Sequence, residues 1–372
     1  MLVVFRADAS HEIGSGHVVR CLTLASALRE EGAQCRFVSR EHGGNLLDLI
    51  RQQGFDVICL PVASASTEGS SGEAETAHAA WLGERWQNDA AATASAIGET
   101  RADWLIVDHY ALDARWEGAL HSHCDRLMVI DDLADRPHDC DLLLDQNLVA
   151  DAENRYEDKV PASCRLLLGP EFALLQPQYG ELHASTAARS GPPRRVLVYF
   201  GAAHTGDLTR LAVEAFLSLE RADIALDVVL NPDDPDAELI RDQIRGHENI
   251  VLHGGLPSLA PLMAKADLAV GAGGTTTWER CCLGLAALVV TIAENQKPAA
   301  AELQRQGLIR WLGDKAGMDL ATLRQGLETV LRDGVADAWS ARCRQLVDGQ
   351  GANRVIRELM ARTAPGHREM RL

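Results

Sequence analysis

Two stretches of this sequence combine residue types and spacings suited to chemistry on an anionic ligand. The first runs from Asp8 through Gly14-Ser15-Gly16 to His17. Val18, Leu22, Ala25 and Leu28 then recur at intervals of four and three, the stripe of a helix packed on a sheet. His17 is therefore expected in the first turn of a helix, where free backbone N–H groups attract anions and the dipole disfavours imidazolium. A neutral imidazole held there can accept a proton. Gly14 and Gly16 belong to the same anion-attracting loop, and Arg6, Asp8 and Arg20 flank it as groups that orient a ligand or the imidazole, or that form surface ion pairs. The second stretch is Gly271-Ala272-Gly273-Gly274-Thr275-Thr276-Thr277-Trp278-Glu279-Arg280. An apolar run enters glycines and then hydroxyls at a helix start, which supplies N–H groups, a positive dipole end and side-chain donors for a pyrophosphate. Gly273, Gly274, Thr275 and Thr276 are expected at that ligand, and Glu279, one turn further, can accept both hydroxyls of a ribose.

Three further segments add to this second group. Gly201-Ala202-Ala203-His204-Thr205-Gly206 supplies another glycine-rich wall, which makes Gly201 and Thr205 candidate contacts. His253-Gly254-Gly255-Leu256-Pro257 follows an apolar run, and backbone amides beside His253 and Leu256 can read a base. Glu294-Asn295-Gln296 presents amide side chains to a sugar or phosphate. Other chemistries lack their residues. No HExxH or GxSxG occurs, and His138/Cys140 and His121/His123 have no partner set at metal-ligand spacing. A dinucleotide fingerprint is missing too, since Val19 stands where its third glycine would be.

The elements that must position these residues alternate between strand and helix. Apolar runs at 2–5, 35–39, 57–60, 104–108, 127–131 and 142–145 read as buried strands, with helical stripes after residues 17, 46, 89 and 114. This rhythm predicts a parallel sheet covered on both faces, whose strand ends carry Asp108, His109, Tyr110, Asp131 and Asp132 to the edge that holds His17. The polar interval 61–87 breaks the rhythm and reads as a mobile loop. Gly169-Pro170, Gln176-Pro177 and Gly191-Pro192-Pro193 mark a linker over 166–194 between a first domain at 1–165 and a second at 195–350. The second domain restarts the pattern with strands at 196–200, 227–230, 249–254, 267–274 and 286–291. A final helix is expected near 352–362, with a frayed tail after it. The fold class is therefore α/β, with two doubly wound, Rossmann-like domains facing each other.

Composition narrows the function further. A length of 372 residues suits two cores, and no apolar run approaches the ~18 residues of a membrane span. Nine cysteines without a CxxC pair fit a reducing compartment, so a cytoplasmic protein is expected. A net charge of −17 opposes nucleic acid or an anionic membrane as partner.

The segments at 5–25, 107–110 (VDHY), 131–147, 271–285, 294–296 (ENQ) and 348–355 together resemble, in order and across nearly the whole chain, the UDP-sugar hydrolases of pseudaminic acid biosynthesis. The resemblance implies the two-domain glycosyltransferase-B (GT-B) architecture and a metal-independent hydrolysis in which water attacks the anomeric carbon of UDP-2,4-diacetamido-2,4,6-trideoxy-β-L-altropyranose. It implies no cofactor and a small-molecule UDP-sugar as partner. By position, the family's catalytic His falls on His17, its active-site Tyr on Tyr110, its amide on Asn295, and its ribose-binding Glu on Glu279; Gln296 stays a ligand contact on the strength of its amide alone. The family's GGTD after the first strand of the second domain is replaced here by Gly201-Ala202-Ala203-His204-Thr205. A UDP-sugar glycosyltransferase and a non-catalytic sugar-nucleotide-binding protein remain the alternatives, separated from hydrolysis by whether UDP is released without an acceptor.

Overall fold

The structure, a computed structural model, describes residues 1–62, 76–201 and 205–363. The chain divides into two compact units: Met1–Asn147 and Asp151–Leu174 with the helix Gly351–Thr363, and Leu148–Ala150 with Leu175–Gln350. Each contains one all-parallel sheet.

In the first unit the strands are β1 (Leu2–Ala7), β2 (Gln34–Arg40), β3 (Asp56–Leu60), β4 (Ala102–Asp108), β5 (Cys124–Ile130), β6 (Leu142–Asp145) and β7 (Arg165–Leu168), in the spatial order 3-2-1-4-5-6-7. Alternate residues of the central strands serve opposite faces. Val3 and Phe5 pack with the helix Gly16–Glu30 and with Val355, Ile356 and Leu359 of the helix Gly351–Thr363. Val4, Leu105 and Val107 pack against Ala90, Ile97, Trp116 and Leu120 of the helices Trp86–Ile97 and Ala114–Leu120. Both faces are thereby buried, which explains why these strands read as continuous apolar runs. The strand order reverses direction between β1 and β4. At such a point the connections leave to opposite sides and open a crevice at the carboxyl ends, and the segments there are the His17 loop after β1 and Asp108-His109-Tyr110 after β4.

The second unit repeats the plan. Its strands β8 (Arg195–Tyr199), β9 (Ala225–Val229), β10 (Ile250–His253), β11 (Leu268–Ala272), β12 (Ala286–Thr291) and β13 (Arg310–Asp314) lie in the order 10-9-8-11-12-13. The reversal falls between β8 and β11, whose following segments carry Gly201 and Gly273.

Two expectations are corrected, the linker and the loop, and one is completed by the final helix. The expected linker 166–194 contains most of β7, which pairs with β6 through Leu143↔Leu166 and Leu144↔Leu167, so the first unit extends to Leu174. The final helix belongs to the first unit: Trp104 donates its indole N–H to Thr363 Oγ1 at 2.9 Å. It starts at Gly351, where a Cβ would stand 2.6 Å from the Ala173 backbone nitrogen and closer still to that residue's carbonyl oxygen. Only glycine fits there. Of the interval 61–87, residues 63–75 lie outside the described residues, but 76–87 is ordered, with a 3-10 turn at Ala79–Leu82 and the start of the helix Trp86–Ile97. Leu82 secures this turn by entering the apolar cluster with Leu60 and Trp116.

Candidate functional site

The helix that carries His17 begins at Gly16, after Ser15, and no side chain caps it. Gly14 makes the preceding turn at φ +81°, a conformation costly for residues with a side chain. The turn is closed by Gly14 N–H to Ser10 O at 2.9 Å and by Ser10 Oγ accepting from Ile13 N–H at 2.9 Å. This places His17 7% exposed against the end of β4. Its Nδ1 lies 2.5 Å from Asp108 Oδ1. Arg20, one turn along the helix, grips the same carboxylate through Nε to Oδ2 at 2.5 Å and Nη2 to Oδ1 at 2.6 Å. Burial alone would raise the Asp108 pKa, but the Arg20 charge and then His17 outweigh it and hold the group below the ordinary carboxylate range. An anionic carboxylate only accepts, so Nδ1 is the donor of this contact, and in the neutral imidazole the lone pair falls on Nε2. Among the described residues no hydrogen bond engages Nε2.

Arg20 also reaches Asp132 Oδ2 at 3.4 Å, and Asp132 Oδ1 accepts from the Tyr110 hydroxyl at 2.5 Å. Burial, and then Asp132, keep Tyr110 protonated far above the usual phenol range. The rings of His17 and Tyr110 meet edge to face, centroids 4.6 Å apart. His17, Asp108, Arg20, Asp132 and Tyr110 thus form one closed circuit across three chain segments. Arg20 is a positioning residue in it, 4% exposed and engaged with two carboxylates.

Arg6 and Asp8 are neither surface ion pairs nor placed at a ligand surface, because both are 0% exposed. Arg6 donates to Asp8 at 2.6 and 2.9 Å and to Asp89 at 2.7 Å, and Arg40 Nη2 also donates to Asp89 at 2.6 Å. Asp8 Oδ1 accepts the Arg40 backbone N–H at 2.7 Å, which ties the start of the His17 loop to β2. Burial opposes the Asp8 charge, but Arg6 and then His109 and His42 hold its pKa well below the usual range. The physical reason for the burial is the demand of a charge in a core: each needs a fixed opposite charge, and here one network supplies them all.

In the second unit, Gly273 and Gly274 lie under the Gln296 side chain, whose Oε1 accepts from Ile292 N–H at 3.0 Å. Asn295 shares the turn Glu294–Gln296. Thr275 and Thr276 start the helix Thr276–Cys282, again without a side-chain cap. Beneath the loop, Arg280 donates to Ala272 O at 2.7 Å and Thr277 Oγ1 at 2.9 Å, and a Cβ at Gly271 would stand 2.6 Å from its guanidinium. Gly201, two residues beyond β8, has φ +123° and Thr205 precedes the helix Gly206–Leu217, while Ala202, Ala203 and His204 lie outside the described residues. His253 commits its Nε2 to Asp227 at 2.8 Å, and Leu256 is 38% exposed.

Glu279 is hydrogen-bonded to Tyr179, and its Oε2 is buried without a hydrogen-bond partner. Burial pushes its carboxyl up to about 7, against that hydrogen bond and the charge of Arg280. Hydroxyl donors from a ribose would complete its shell and favour the anion, so nucleotide binding should release a proton near pH 7. The sign follows: a group with a raised pKa in the free protein and a lower one in the complex binds its ligand more weakly as pH falls through about 7. UDP affinity measured by calorimetry is expected to decline from pH 8 to pH 6, and Glu279→Gln to flatten that dependence. A pH-independent affinity for UDP would remove Glu279 from the nucleotide site.

Two groups escaped the sequence reading. Asp108 and Asp132 were placed at the right edge without their partners, and His78 and Trp81 fell within an interval read as loop. The one signal for the latter pair is Trp81-Leu82-Gly83, an aromatic and an apolar residue closed by glycine inside a polar stretch.

No family model matches this chain. The curated UDP-2,4-diacetamido-2,4,6-trideoxy-beta-L-altropyranose hydrolase of Campylobacter jejuni is 23% identical over 307 residues, 82% of this chain and 97% of that protein. Among solved structures, the MurG of Acinetobacter baumannii superposes with a TM-score of 0.67 at 15% identity, covering 97% of this chain and 99% of that one. A UDP-N-acetylglucosamine 2-epimerase of Listeria monocytogenes superposes at 0.60 with 14% identity, covering 97% and 96%. The chain has the two-unit α/β fold of the GT-B glycosyltransferases, and along most of its length its sequence resembles that of the Campylobacter hydrolase.

Proposed function

We propose that this protein hydrolyses UDP-2,4-diacetamido-2,4,6-trideoxy-β-L-altropyranose to UDP and the free sugar in pseudaminic acid biosynthesis, without a metal or cofactor. The observation that carries the reading is the His17–Asp108 pair, with Nδ1 held at 2.5 Å and Nε2 left as the proton acceptor. UDP is already a good leaving group. The tasks left to the protein are to bind the diphosphate, position one water and take its proton. His17 takes that proton, and Asp108 stabilises the imidazolium that results. Tyr110, fixed through its hydroxyl to Asp132, bounds the site beside the imidazole. In this reading the glycine loop 271–276 with Gln296 and Asn295 receives the diphosphate, and Glu279 receives the ribose.

Water activated by His17 attacks the anomeric carbon, its oxygen joins the sugar, and the electrons of the broken C–O bond leave with UDP. One displacement inverts that centre. Run in ¹⁸O-water, the reaction is expected to yield unlabelled UDP, read by mass spectrometry, with the inverted anomer first in the NMR time course. Label in UDP would mean attack at phosphorus and would overturn the assignment of His17. Release of UDP without an added acceptor is expected as well, and its absence would favour a transferase.

A further inference from the structure

The segment just before the helix Trp86–Ile97 places two aromatic side chains against the His17 site. Trp81 lies nearly parallel to the Tyr110 ring, at a centroid distance of 5.8 Å and an angle of 26°. His78 touches both, 4.4 Å from Trp81 and 5.5 Å from Tyr110. Tyr110 in turn meets His17 at 4.6 Å. The placement is held at both ends, because Thr76 Oγ1 donates to Ala111 O at 3.2 Å and Leu82 is buried in the core. Gly83, at φ +66°, ends the turn. His78 and Trp81 are themselves only partly buried, so they keep surface for a ligand. Burial lowers the His78 pKa, which adds to the neutral, apolar character of the wall.

We propose that Trp81 and His78, backed by Tyr110, form the subsite for the apolar edge of the sugar, meaning the methyl of a 6-deoxy position and the methyl of an acetamido group. The proposal rests on the UDP-sugar reading above. Aromatic faces gain from burying methyl groups but offer little to a hydroxyl, which would lose its water there without replacement. A sugar whose anomeric carbon receives the water held by His17 has its flank against these rings, since Tyr110 touches both. The wall therefore selects deoxygenated, N-acylated sugars over those rich in hydroxyls. A methyl group in an apolar pocket discriminates by roughly 10- to 200-fold, the range open to such a wall.

The test is made in a His17→Asn background, so that the sugar nucleotide stays intact while its affinity is measured by calorimetry. Trp81→Ala is expected to weaken binding of a UDP-2,4-diacetamido-2,4,6-trideoxyhexose about tenfold or more, while binding of UDP and of UDP-glucose, which carries neither methyl, changes less than about twofold. Trp81→Phe, which keeps an aromatic face, should stay within about threefold of the parent. An equal loss for all three ligands would show a merely structural role and overturn the proposal, and so would no loss for any. If the wild-type protein binds the diacetamido sugar nucleotide but releases no UDP, the hydrolysis reading fails alone and the wall is judged on these affinities. If it binds none of the three, both fall.

Discussion

His17→Asn is expected to lower kcat by about a thousandfold or more while leaving the affinity for UDP within about twofold of wild type. Proton transfer by a positioned base contributes roughly 10²–10⁴-fold, and Asn supplies no basic nitrogen in its place. The substitution is chosen because an amide can still donate to Asp108, whose carboxylate lies 2.5 Å from Nδ1 and would otherwise be left buried with one donor fewer. The fold is thus spared and the chemistry is not. Steady-state release of UDP gives kcat, and calorimetry with UDP alone gives the affinity. Near-normal turnover in this variant would remove His17 as the base, whereas a matching loss of UDP affinity would show that the residue supports nucleotide binding.

The second large effect concerns stability. Gly351→Ala places a methyl 2.6 Å from the Ala173 nitrogen and from the Phe172 carbonyl carbon, all backbone atoms that have no rotamer to yield. Overpacking of this kind costs about 3 kcal/mol, and the helix Gly351–Thr363 loses its seat between Ala173 and the β1 face. A fall in the thermal midpoint of about 6–12 °C is expected for a domain of this size. Gly317→Ala is the control, since no heavy atom within 4 Å would meet the added methyl. An unchanged midpoint in Gly351→Ala would mean that the chain relaxes around position 173 at little cost.

Much of the fold was legible because buried parallel strands announce themselves as apolar runs. LLLD at 142–145 and AALVVT at 286–291 coincide with β6 and β12 to the residue. Two strands were missed for a physical reason: β7 has four residues and sits between turn-forming segments, and β13 (RWLGD) is a half-buried edge strand without an apolar run. The candidate site could be read in its residue types but not in its pairings. His17 and Asp108 are separated by 91 positions, and Arg6 and Asp89 by 83, so no local pattern tells that the first pair meets at the ends of a helix and a strand while the second joins a network buried in the core. Arg6 and Asp8 flank the His17 loop as functional residues would, yet they anchor it from within the core. Trp81 illustrates the opposite error, since a polar neighbourhood concealed a side chain that tertiary packing turns toward Tyr110.

The return of the helix Gly351–Thr363 to the first unit has a consequence for how the protein is made. The second unit, 175–350, is in effect an insertion within the first. On a ribosome adding roughly 5–20 residues per second, the interval between the emergence of Leu174 and that of Gly351 lasts about 10–35 s. During that time the sheet face formed by Val3, Phe5 and Trp104 waits for Val355, Ile356 and Leu359, and by its end the second unit has its whole core. The part of the chain synthesised first is therefore the last to be completed, and its uncovered apolar face is where a nascent chain of this protein is most exposed to misassociation and to chaperone capture.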